Sequence, residues 1–196
     1  MSRDTERAIL DATERLLATV PAHELNVEQI LAEAGVSRRT FYAYFASKYA
    51  VITRLLERVM EEMYAVIQPF VARADDEPRK DALRHSLRAG WDVWAQHAVV
   101  LRAMHEHSHE VPELRAMWMD IIDRFAAAFS REIDRERAEG LAPPGADSAQ
   151  LASILLWSSA QCAYVAGLGI DLRIADMDAL FEPMLSVWLR ALYGDA

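Results

Sequence analysis

With 196 residues, 53% of them hydrophobic, the chain is long enough to bury a sizeable core, and its 7 Gly, 7 Pro and lack of period-two β-branched runs exclude a sheet-based fold. Cys162 is the only cysteine, which excludes an intrachain disulfide framework and suits a reducing cytoplasm. A net charge of −9 would argue against a nucleic-acid partner if it were spread evenly, but residues 1–60 carry eight basic and eight acidic side chains and the whole deficit lies beyond them.

The periodicity predicts an all-α fold of about nine helices. Met1-Ser2-Arg3-Asp4 shows no apolar signal run, and no apolar stretch reaches the ~20 residues that span a bilayer, so a cytoplasmic protein without a membrane partner is expected. The first helix is predicted over 4–20, with Ile9, Ala12, Leu16, Leu17 and Val20 on one stripe and Pro21 ending it. Asn26 and Gln29 have capping-box spacing and open a short helix over 27–34 with Val27, Ile30, Leu31 and Ala34 facing inward. Gly35 suits a tight turn, Ser37 caps a helix over 38–45, and Ser47 caps a fourth that runs to about Phe70. After the loop signal Asp75-Asp76-Glu77-Pro78, one helix is predicted to about His97 and a shorter one to about His107. Pro112 opens a long helix over 112–139, with Leu114, Trp118, Ile121, Phe125, Phe129 and Ile133 at steps of three and four. Two more follow near 147–166 and 176–193. Pro183 either kinks the last or marks its true start.

Two short helices around a glycine turn make a helix-turn-helix, whose second helix can enter the major groove. On that helix Phe41 and Phe45 share the core face with Val36. The opposite face centres on Ala43, small enough to let the helix axis approach the base edges, with Arg39 and Thr40 beside it and Tyr42 and Tyr44 flanking. Arginine reads guanine bidentately, and the Ala or Thr methyl suits thymine. Ser37, the tyrosine hydroxyls and the helix N-terminus suit phosphate oxygens. Arg38 projects nearer the core side, toward backbone phosphate or a Glu, and Lys48 is placed to clamp a phosphate. Within residues 37–58 five basic residues stand with a single acid, Glu57, so this end is locally basic.

The segment Ala34-Gly35-Val36-Ser37, followed by Phe41-Tyr42, Tyr44-Phe45 and Ser47-Lys48, resembles the signature of TetR-family repressors. Ala32 with Ala34-Gly35, Ser37-Arg38, the run Asp134-Arg135-Glu136-Arg137, Trp188 and the ending Leu192-Tyr193-Gly194 is further similar to the ethionamide-resistance repressor subgroup. Arg39 stands where that subgroup often carries Pro, so its operator sequence is not transferred. The resemblance implies a DNA-binding domain over 1–48 and a ligand-binding and dimerisation domain over 49–196. It also implies an inducer cavity near Trp118, Phe125, Leu156, Ser159 and Trp188, and a dimer formed by the last two helices as a four-helix bundle. Ser159 replaces the subgroup's Asn.

Read from the residues themselves, Trp91, Trp94, Met104, Trp118, Phe125, Trp157, Tyr164 and Trp188 supply large, adaptable apolar surface of the kind that lines small-molecule pockets. Ser158, Ser159 and Gln161 are candidate polar anchors. Plain core is the competing role for any one of these residues. No charged group falls within the stripes, which favours an apolar or weakly polar effector. Leu151, Ile154, Leu155 and Tyr164, then Leu180, Met184, Val187, Trp188, Ala191 and Leu192, exceed one core face and suit dimerisation, or else fold wholly into a monomer core. His105, His107 and His109 lack thiolate partners and sit beside Pro112, which favours a solvated helix end over a metal site. No cofactor motif, phosphate loop or nucleophile elbow is present, and Cys162 has no adjacent base, so no enzyme is expected. The expectation is a regulator, most simply a repressor, that binds a palindromic operator as a homodimer and is released by a small apolar effector. The alternatives are a helical small-molecule or metal-binding protein and a DNA-binding regulator without a ligand.

Overall fold

The computed structural model describes residues 3–71, 78–168 and 176–194, and among these there are nine helices and no strand. They are α1 Arg3–Leu17, α2 Val27–Ala34, α3 Arg38–Tyr44, α4 Lys48–Val71, α5 Arg79–Gln96, α6 Ala98–His107, α7 Pro112–Ala138, α8 Ser148–Gly167 and α9 Met177–Tyr193. The chain packs as two units, one of Met1–Met60 with His97–Trp118 and one of Glu61–Gln96 with Met119–Ala196. The first unit therefore takes in residues 49–60 and 97–118, which the sequence reading assigned to the second domain. The breaks at Met60 and Trp118 fall inside α4 and α7.

In the first unit, α1 ends at Leu17, earlier than Pro21 suggests, because its last turn tightens: Thr19 N–H donates to the Leu16 carbonyl at 3.0 Å. Arg102 of α6 donates to the Leu17 carbonyl at 3.1 Å, satisfying a group the helix end leaves open. The capping box of α2 is present in both directions, with Gln29 N–H on Asn26 Oδ1 at 3.0 Å and Asn26 N–H on Gln29 Oε1 at 2.8 Å. Gly35 takes the left-handed conformation, φ 65°, and its N–H caps the Leu31 carbonyl. Ile30, Phe41, Val51, Ile52, Leu55, Leu56 and Val59 are fully buried, and each such aliphatic or aromatic side chain contributes about 1.5–3 kcal/mol. At the rim, Arg58 of α4 bridges Asp11 at 2.8 Å and Glu14 at 2.6 Å on α1, while Glu14 also takes His97 Nδ1 at 2.6 Å.

In the second unit, Trp91, Ala163, Phe181 and Leu185 form a core cluster on α5, α8 and α9. Pro183 lies inside α9, which starts at Met177 behind the Asp176 N-cap, so it does not mark the helix start. Pro183 and Ala179 are both exposed, so the carbonyl that loses its donor is left to water. The C-terminal half of α7 buries two carboxylates one turn apart. Glu132 pairs with Arg135 at 2.5 Å and Glu136 with Arg79 of α5 at 3.4 Å. Burial and the neighbouring Glu136 push the Tyr193 hydroxyl well above the ordinary tyrosine value.

No atom lies within 4 Å of the position a Cβ would take on Gly35, so any substitution there is penalised by its backbone alone. Gly35→Ala should lower stability by about 1 kcal/mol and Gly35→Asn by less, because Asn tolerates the left-handed region. Urea unfolding checks this: the midpoint should fall with the slope unchanged. Equal losses for both variants would mean the cost is not conformational.

Candidate DNA-binding site

The second helix of the motif, α3, has seven residues and no acidic side chain in its first turn. Ser37 fixes its start by accepting from Thr40 N–H at 3.1 Å, and the two hydroxyls meet at 2.8 Å. Phe41 and Phe45 are buried with ring centroids 6.0 Å apart, which leaves Arg39, Tyr42 and Ala43 on the exposed side. Tyr42 is 49% exposed and stands edge-on to Phe41 at 5.3 Å, so its ring is steered while its hydroxyl faces water. Thr40 and Tyr44 are half-buried. Arg39 is exposed and makes no ion pair with any described residue.

The other two cations proposed for DNA are engaged within the protein. Arg38 pairs with Glu28 of α2 through its guanidinium, both side chains being exposed. Lys48 directs its ammonium at the backbone carbonyls of Ala22, His23 and Leu25. Glu33 is paired in turn with Arg15 at 2.8 Å. For Arg38 the structure realises the Glu alternative, 10 positions away, whereas the partners of Lys48 and Glu33, 23 to 26 and 18 positions away, have no signal in the spacing.

Of the residues expected around an effector, Met104 and Trp118 are buried in the first unit. In the second, Trp91 sits in the core cluster, Trp94 packs against it, and the Trp91 indole N–H donates to the Met177 carbonyl at 2.5 Å. Trp188 is fully buried beside Phe129, centroids 5.1 Å apart, and donates its indole N–H to Ser159 Oγ at 3.0 Å. Ser159 gives its own proton to the Leu155 carbonyl at 2.8 Å, as Ser158 does to Ile154 at 2.6 Å. Both serine protons are therefore used by the helix itself. Phe125 is buried against Tyr64 at 5.7 Å, and Tyr164 is half-buried. Trp157 is 37% exposed, with Ile154 at 62% and Val187 at 52%, apart from the Trp91 cluster. A cleft of about 650 Å³ at the α7–α8 loop, lined by Arg137, Leu141, Pro143 and Pro144 among others, contains none of the expected effector residues.

His107 is not at a solvated end. It is 3% exposed and packs edge-on to Tyr49 at 5.5 Å, because the turn into α7 folds it inward. Among the described residues no three His, Cys, Asp or Glu side chains form a metal-sized group. No described helix is long and apolar enough to cross a membrane.

Residues 9–55 match the model of the bacterial regulatory proteins of the tetR family, and residues 83–194, more than half the chain, match the C-terminal domain of the transcriptional regulator EthR. The chain belongs to the TetR family. It is similar to the HTH-type transcriptional regulator EthR of Mycobacterium tuberculosis, 28% identical over 192 residues that cover 98% of this chain and 88% of that one. The fold is shared with the fatty acid degradation regulator FadR from Bacillus halodurans, at TM-score 0.80, 17% identity and 96% coverage of each chain. It is also shared with SmeT, the repressor of the Stenotrophomonas maltophilia multidrug efflux pump SmeDEF, at TM-score 0.77, 20% identity and coverage of 99% of this chain and 94% of that one. As a TetR-family member the chain is a transcriptional regulator and not an enzyme, with an N-terminal DNA-binding helix-turn-helix and a C-terminal domain of the EthR type.

The Ser159–Trp188 bond separates a structural role from ligand anchoring in the absence of any ligand. Ser159→Ala strands a buried indole N–H and should destabilise the protein by about 1–3 kcal/mol, an effect that Trp188→Phe largely cancels in the double variant. Chemical denaturation of the four proteins reads the cycle. Additive losses would mean the bond contributes nothing.

Proposed function

We infer that this TetR-family regulator binds a palindromic operator as a homodimer, blocks transcription there, and is released by a small, mostly apolar effector. The observation that carries the DNA half is the face of α3. An exposed Arg39 that forms no ion pair among the described residues, an exposed Tyr42 and the small Ala43 stand outward, while Phe41 and Phe45 lock the other side into the core. Arg39 is the candidate for reading a base edge. Ser37, Thr40, Tyr42 and Tyr44 are candidates for phosphate and thymine-methyl contacts.

One recognition helix reads a short half-site, so a second must be held ~34–36 Å away, or a multiple of that, to read a palindrome. The exposed Ile154, Trp157 and Val187 on α8 and α9 support a two-fold interface there, where each residue meets its own symmetry mate or a neighbour of it. Effector release supposes two spacings of the recognition helices. A ligand in the C-terminal domain that prefers the wrong spacing shifts α4, whose first turn belongs to the DNA-binding end, and must prefer it by several kcal/mol to empty the operator. Trp91, Trp94, Met104, Trp118, Phe125, Trp157, Ser159, Tyr164 and Trp188 are the candidate effector contacts. The second reading, a DNA-binding regulator that senses nothing, is favoured by the internal satisfaction of Trp91, Trp188 and Ser159.

Two experiments test these readings. In the first, Arg39→Ala should cost about 1–3 kcal/mol of operator affinity and relax sequence preference, with the dimer intact. Ile154→Glu with Val187→Glu should instead yield monomers by ultracentrifugation and lose operator binding through the missing partner. Unchanged affinity in both proteins would sink the operator reading. In the second, hydrophobic compounds are titrated by thermal shift and by operator binding together. A true effector raises the melting temperature and lowers DNA affinity, since DNA and ligand must oppose each other equally. A compound that stabilises the protein without touching operator affinity would leave the second reading standing.

A further inference from the structure

Lys48 opens α4 and stands where a phosphate contact is expected from its position beside the recognition helix. Its ammonium lies 2.9 Å from the Ala22 carbonyl oxygen, 3.2 Å from that of His23 and 2.6 Å from that of Leu25. An ammonium has three N–H donors and nothing else to offer, so these carbonyls take its whole hydrogen-bonding capacity. All three belong to the turn after α1, in which the Glu24 and Leu25 N–H groups both donate to Pro21 at 3.0 Å. The side chains of Ala22 and Leu25 are buried, which anchors the turn, and Leu25 directly precedes Asn26, the N-cap of α2. On its other side the ammonium stands 5.1 Å from the centre of the Tyr49 ring. Desolvation lowers its pKa from the ordinary 10.5, as befits a cation that has exchanged water for carbonyl oxygens.

We propose that Lys48 is a positioning residue for operator binding: its ammonium ties the first turn of α4 to the chain entering α2, and so sets the angle at which the helix-turn-helix is held, without neutralising a DNA phosphate. The three carbonyl dipoles converge on one point and need a compact cation with donors in three directions. A free phosphate clamp needs only positive charge at the right distance. These demands rank arginine oppositely. The planar guanidinium fork cannot aim three donors at one convergent set of carbonyls, yet it binds phosphate as well as lysine or better.

The inference rests on the operator-binding reading, and the test keeps the two apart. The full-length protein is used with the palindromic duplex that binds wild type best from a random library, over a range of salt concentrations. Lys48→Met should lower operator affinity tenfold or more with the salt slope unchanged, and Lys48→Arg should stay nearly as weak. A phosphate contact from each subunit would instead cut the slope by about two on Lys48→Met, and Lys48→Arg would restore both slope and affinity. Either that result or wild-type affinity in Lys48→Met overturns the proposal. Amide exchange of residues 22–29 in the DNA-free protein provides an independent reading: it should quicken at least tenfold in Lys48→Arg, which keeps the charge if the Met variant fails to fold. Unchanged exchange there would also overturn it. Failure of wild type to select any duplex would defeat the operator reading, while the exchange result would still judge the Lys48 clip.

Discussion

A helix of seven residues has no stability of its own in water, because closing its first turn costs more than its few hydrogen bonds return. α3 is such a helix, and the rest of the DNA-binding end is arranged to hold it. Ser37 supplies a start that the short segment cannot supply from propensity, and Phe41 and Phe45 fasten one side to the core formed with α1, α2 and α4. Only then can Arg39, Tyr42 and Ala43 on the other side be left exposed. The same logic explains the surroundings of Glu28 and Glu33. Acids on α2 beside a DNA-facing helix would repel phosphate, and Arg38 and Arg15 neutralise them within the protein.

The caps, the glycine turn and the core stripe were legible in the sequence because each depends on residues within one or two turns of each other. Asn26 with Gln29 and Ser37 with Thr40 are separated by three positions, and the structure realises both. Helix number and order followed from periodicity, and the TetR signature followed from the spacing of aromatic residues around Ser47-Lys48. What spacing could not show is which of several partners a long polar side chain chooses. Lys48 looks like a phosphate ligand until the carbonyls that compete for it are brought near by folding, and for Arg38 the sequence leaves phosphate and a Glu as open choices until Glu28 is brought near. Ser159 resembles a free anchor until Trp188, 29 positions away, takes its oxygen. The pairing of Arg102 with the end of α1, across 85 positions, is of the same kind and satisfies a carbonyl that the helix end leaves open.

α8 carries serine at 148, 153, 158 and 159, and the polar amides Gln150 and Gln161. The serines at 153, 158 and 159 return their protons to carbonyls one turn back, so their polarity is largely spent inside the helix. The outward face is then effectively more apolar than its sequence suggests, with Ile154 and Trp157 at its middle and the exposed Gln150 and Gln161 at either end. This is why the helix suits an interface better than a count of hydroxyls would indicate.

The paired carboxylates of α7 bear on how the second unit can move. Glu132 and Glu136 are separated by one helical turn and both are buried; Glu132 is paired within its own helix, with Arg135, whereas Glu136 is paired across to Arg79 of α5. Sliding α7 along its axis by one turn, about 5.4 Å, would carry Arg135 along with Glu132 but draw the buried Glu136 away from Arg79 of α5. An uncompensated buried charge costs about 3–5 kcal/mol, comparable to what an effector can supply. Glu136 thus fixes α7 against α5 at one place along its length, and the rearrangements open to the helix are tilts and rotations that keep this pair.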